Sequence, residues 1–197
     1  MLAPVALGAA VSDGFEQFAE RKPLTADQQS SLQEAMLEAA SNSLAELDRA
    51  KSAEQRFYAL PRAAIAAFDL GQYEDAKQYA TESVTTSELY AGNWNYGNAI
   101  HDGHMVLGLL ALNEGDNARA AEELRLAGST PGSPQLGSFG PSMQLAKAML
   151  ARGNAAPVLA YFDQCRRFWK MGGTWLDVWE AQVREGRVPN FTLHAYR

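Results

Sequence analysis

The residue types best able to carry chemistry gather in one stretch, Gly92–His104, which reads Gly-Asn-Trp-Asn-Tyr-Gly-Asn-Ala-Ile-His-Asp-Gly-His. A helix starting near Trp94 or Tyr96 would carry Asn98, His101 and Met105 on one face at i, i+3 and i+7. Asn98, His101 and Asp102 would then stand at the rim of any groove alongside it. Histidine titrates near neutrality, so in an enzyme His101 would act as acid or base, with Asp102 and Asn98 as partners. Adjacent helix residues do not face each other, so a direct relay between Asp102 and His101 is not expected. His101 and His104 have a chelating spacing, but the register puts His104 on the opposite, packing side. With His194 the only other histidine, no metal site is expected. A purely structural reading competes: asparagines capping helix ends, a histidine bonded to a loop, and Trp94 and Tyr96 buried between helices.

Elsewhere the sequence offers less chemistry. The single cysteine, Cys165, excludes an intramolecular disulfide and falls at a packing position. No hydrolase elbow, phosphate loop, dinucleotide fingerprint or zinc-protease motif occurs, and no cofactor is expected. The run Arg166-Arg167-Phe168-Trp169-Lys170 offers cations to an acidic partner, but its aromatics fit better as a seal against a following helix.

The elements that would position these residues are helices. Strand-like alternation is nearly absent, and alanine, leucine, glutamate and glutamine dominate. Thr25 and Gln28 have capping-box spacing and open a helix carrying Leu32, Met36, Ala39, Ala40, Leu44 and Leu47, ending near Lys51. A second helix from about Ala53 carries Phe57, Leu60, Ile65 and Phe68 and stops at Gly71. Thr174 and Asp177 suggest a further capping box before Trp175, Leu176, Trp179 and Val183, giving a terminal helix over 174–186. The glycine- and proline-rich stretch 128–141 reads as an ordered surface loop, and residues from Pro189 onward as tail.

A pattern recurs along the chain. Leu60-Pro-Arg-Ala63-Ala64 leads to a turn glycine at 71 and Ala76; Leu107-Gly108 leads to Gly115 and Ala120; Leu145-Ala146 leads to Gly153 and Val158. Small residues let paired helices approach while large ones fill the space to the next pair. These residues resemble the tetratricopeptide repeats over roughly residues 53–169. The glycines lie further apart than the family's period of about 34 residues, and the family's signature tryptophan is replaced by Leu60, His104 and Ser142. The resemblance implies one all-α domain, 25–186, of three helical hairpins (53–88, 95–128 and 139–169) and a terminal cap. It follows a flexible or docked segment, 1–24, and precedes a tail, 187–197.

In this register the concave groove would be lined by Tyr58, Ile65 and Phe68, then Asn98, His101, Asp102, Met105, Leu109 and Leu112, then Met143, Lys147 and Leu150. The lining is mainly apolar, suiting a helix, an extended peptide or a small apolar ligand. The family's carboxylate clamp is absent, since its positions hold Pro61, Ile65, Met105 and Leu109. Filling of the groove from within, by residues 1–20 or by the C-terminal helix, is the intramolecular alternative.

A net charge of −6 without a basic stripe argues against a nucleic-acid partner, and no apolar run is long enough to cross a membrane. The opening Met1–Ser12 resembles a signal's hydrophobic region but lacks a basic start, the first basic residue being Arg21. A cytoplasmic location is expected, with export as the alternative. The functional expectation is a non-enzymatic scaffold that binds a protein or peptide in the groove. The alternative is a small-molecule binder or unusual enzyme using Asn98, His101 and Asp102, and a structural subunit of a larger assembly is a third reading.

Overall fold

A computed structural model describes residues 25–191 and residue 194. The expectations for residues 1–24 therefore lie outside the described residues. Among these the regular structure is entirely helical, as the composition implied: α1 (Ala26–Asp48), α2 (Ala53–Asp69), α3 (Tyr73–Ser87), α4 (Tyr96–Asn113), α5 (Asn117–Gly128), α6 (Pro134–Phe139), α7 (Gln144–Leu150), α8 (Ala155–Phe168) and α9 (Gly173–Arg184). Short 3₁₀ turns occupy Glu88–Tyr90 and Lys170–Gly172.

Local chemistry sets these boundaries. At α1 the Gln28 N–H donates to the Thr25 hydroxyl at 3.3 Å while the Thr25 N–H donates to the Gln28 carbonyl at 3.0 Å, closing the capping box. Ser52 caps α2 through the Gln55 N–H at 3.1 Å. Gly71, Gly115 and Gly153 all adopt positive φ just beyond helix ends, where a side chain would be strained. The expected cap at Thr174 is not formed: α9 starts one residue earlier, with Gly172 before it and no side-chain cap. The 128–141 stretch also departs from expectation. It holds the six-residue helix α6, with Ser133 accepting the Leu136 N–H at 3.0 Å and Pro134 in the first turn.

Consecutive helices pack against one another, α1 on α2, α2 on α3, α3 on α4 and α4 on α5, and α2 also meets α4. Close approach depends on small residues. A Cβ on Gly103 would lie 2.6 Å from Val84 Cγ2, and one on Gly108 would lie 2.2 Å from Leu145 Cδ2. The main core lies among α4, α5, α7, α8 and α9 and includes Met105, Leu124, Leu145, Tyr161, Phe162 and Trp179. By contrast α1 buries only Ala40 and Leu47, so its first half projects with Met36 half-exposed and Leu37 exposed.

Phe191 and His194 pack back onto the helices. Phe191 is fully buried, edge-on to Trp179 at 5.1 Å and to Phe162 at 6.2 Å. The His194 carbonyl accepts the Met143 N–H at 2.7 Å, and His194 Nε2–H donates to the Phe139 carbonyl at 2.9 Å. Removing a buried aromatic costs about 3–5 kcal/mol. Phe191→Ala is therefore expected to lower unfolding free energy in urea by about 3 kcal/mol; a loss under about 1 kcal/mol would mean that the tail does not complete the core.

Candidate functional site

The sequence pointed to α4, and the structure divides its polar residues between two faces. His101 is fully buried, not at a rim. Its Nδ1 lies 2.7 Å from Asp102 Oδ1, so the adjacent pair that helix geometry argued against does bond. Both atoms lie near their own backbones, so short side chains can bridge the turn of about 100° between neighbours. On its other side His101 Nε2 is 2.9 Å from the Tyr161 hydroxyl of α8. That hydroxyl donates to the Ser142 carbonyl at 3.0 Å. His104 turns the opposite way, 2.8 Å from Glu123 of α5.

Tyr161 has one hydroxyl proton and gives it to Ser142, so its oxygen must accept from His101 Nε2–H. Nδ1 then meets a carboxylate, which only accepts when ionised. Burial pushes the Tyr161 hydroxyl well above the usual phenol range and raises the neighbouring Cys165 thiol strongly, so neither is ionised. The buried end of the chain is thus a tie between α4 and α8 rather than a reactive centre.

Asn98 is also engaged. Its Nδ2 donates to Asn95 at 2.9 Å and to Gln135 at 3.3 Å, and its Oδ1 accepts from Ser133 at 2.5 Å. Thr130 adds a bond to the Gly97 carbonyl at 2.8 Å. Together these pin α6 against the start of α4.

The recess of interest lies beside this latch and has a volume of about 530 Å³. Met36, Ala39, Ala40 and Ser43 of α1 form one wall, and Arg62, Ile65, Ala66 and Asp69 of α2 a second. Asn98 and Asp102 of α4 contribute, and Gln135, Leu136, Phe139, Gly140 and Ser142 complete it from α6 and the turn after it. Arg62 is exposed and makes no ion pair or hydrogen bond among the described residues. Asp69 likewise has no partner, and loss of hydration against the wall raises its carboxyl above the ordinary value.

Only Ile65, Asn98 and Asp102 of the expected groove residues line this recess. Met105, Leu109, Leu112, Met143 and Leu150 are core residues, in one cluster with buried residues of α5, α7, α8 and α9. Phe68 is half-buried between core clusters, tilted against Tyr73 at 5.6 Å. Lys147 is half-buried on α7, away from the recess. Tyr58 belongs to a separate ledge, stacked on Trp94 at 5.4 Å and receiving a bond from Asn93 at 2.6 Å. Trp94 itself is 51% exposed rather than buried between helices. The aromatic run at 168–169 seals as expected: Trp169 is buried 5.9 Å from Trp179, while Arg166 pairs with Asp177 and Glu180.

No family model, curated protein or solved structure matches the chain. The site therefore rests on its own geometry. Sequence reasoning missed the α1 wall, Arg62, Asp69 and α6. The Ser133-Pro134 pair, a capping residue before a first-turn proline, was the available signal for α6. The spacing of Arg62, Ile65 and Asp69 was the signal for the α2 face.

Asp69 gives a test with a defined sign. A folded-state value raised above 3.8 means that the native state holds this proton more tightly than the unfolded chain. The ionised form therefore costs stability above the raised value, and the cost disappears below 3.8. Asp69→Asn is expected to melt higher than the parent at pH 7, with the difference closing toward pH 4. A lower melting temperature at pH 7 would contradict the unpaired, desolvated carboxylate.

Proposed function

We propose that the protein is a non-enzymatic interaction module that takes a peptide or helix of a partner protein into the recess between α1, α2 and α6. One observation carries this reading: a recess of mixed apolar and polar lining, open beside exposed Phe139, holds two opposite charges, Arg62 and Asp69, that have no partner among the described residues. Burying apolar surface supplies affinity, and unpaired charges supply orientation. The resemblance to tetratricopeptide repeats, a family of interaction scaffolds, agrees with it as an analogy of fold.

The reading as a small-molecule binder or enzyme loses its principal groups. The amide of Asn98 is spent on Asn95, Gln135 and Ser133, and both nitrogens of His101 are engaged inside the protein. Asp102 lines the recess and is bonded to His101 on its other side. The acidic composition gives no support to a nucleic-acid partner, and no described helix is long and apolar enough to cross a membrane.

Peptides selected from a random display library against the full chain supply the test. Phe139→Asp, at the lip, is expected to weaken them about tenfold, or about 1.4 kcal/mol. Leu89→Asp, an exposed site outside the recess lining, is expected to leave them unchanged. Equal sensitivity to both substitutions, or no selected binders, would overturn the proposal.

A further inference from the structure

Arg62 and Asp69 are seven residues apart on α2, both line the recess, and both lack a partner among the described residues. Seven residues make nearly two helical turns, placing the charges on one face about 10.5 Å apart along the axis. Ile65 and Ala66 lie between them on the same wall. Resting on the reading of the recess as a peptide site, we propose that its occupant is an amphipathic helix. That helix carries an acidic and a basic residue two turns apart, with apolar residues between them. The acidic residue pairs with Arg62, the basic one with Asp69, and the apolar residues cover Ile65 and Ala66.

Backbone geometry selects a helix over an extended segment. An extended chain rises about 3.3 Å per residue, so 10.5 Å corresponds to about three residues, and side chains three apart point to opposite faces. Residues at i and i+7 of a helix return to the same face within about 20°. A helix lying along α2 at a shallow angle thus meets both charges at once, its side chains filling the recess while its backbone stays outside. The desolvated Asp69 carboxylate gains the counter-charge it lacks, which reverses part of the cost of leaving it ionised. A second copy of the chain would offer the matching pattern and is one of the outcomes the test distinguishes.

Three synthetic 18-residue helices test this on the full chain by fluorescence anisotropy: acid–six–base, base–six–acid, and a glutamine-substituted control with the same leucines between. One charged order is expected to bind at least tenfold tighter than the control. The exchanged double variant Arg62→Asp/Asp69→Arg is expected to prefer the opposite order. Both positions are exposed, so the exchange is expected to leave the fold intact, which circular dichroism checks. Equal affinity for all three helices, still weakened by Phe139→Asp, would overturn the charge pattern and leave the interaction module standing. No binding by any helix, while display peptides still require Phe139, would overturn the helical occupant. Dimerisation of the full chain that is lost in Arg62→Asp would assign the charges to a second copy and overturn the inference.

Discussion

A buried hydrogen-bonded chain, Asp102–His101–Tyr161–Ser142, holds the middle of the molecule in one arrangement. It joins α4 to α8 and to the turn before α7 beside the main hydrophobic cluster. An unsatisfied polar group here would cost about 1–3 kcal/mol, so the chain is stabilising only when every link is made. The helices that bury Met105, Leu145 and Phe162 must therefore stop at the separation these side chains dictate. The recess inherits that constraint, because Asp102 and Ser142 belong to the same chain and also line its wall.

A second layer of contacts shapes the opening. Asn98, Ser133 and Gln135 fix α6, while His194 holds the turn beyond it through Met143. The recess is thus built from side chains already committed elsewhere, and its few uncommitted groups are conspicuous. Arg62 and Asp69 keep their charges in water with no ion pair or hydrogen bond among the described residues.

Much of the architecture was legible in the sequence because it follows local rules. The Thr25–Gln28 box, the alanine-rich face of α2 and the turn glycines act within a few residues and gave the helices of the first half closely. The site was less legible because it is made by distant segments. The groove was read from the large residues of α4 and Met143, but apolar residues turn toward whatever covers them. The α7–α9 block, whose docking no local pattern announces, covers these ones. His101 was placed at a rim because its partner, Tyr161, lies sixty residues away in α8. Glycine and proline in 128–141 argued for a loop, while Ser133-Pro134 started a helix inside it.

A double-mutant cycle on His101→Ala and Tyr161→Phe, followed by urea unfolding of the full chain, tests the central tie most directly. Two groups that meet only to satisfy each other in a dry core should couple by about 1–2 kcal/mol. The account requires a coupling of that size. Additivity within about 0.3 kcal/mol would mean that the two side chains act independently. In that case the buried chain would not hold the recess in place.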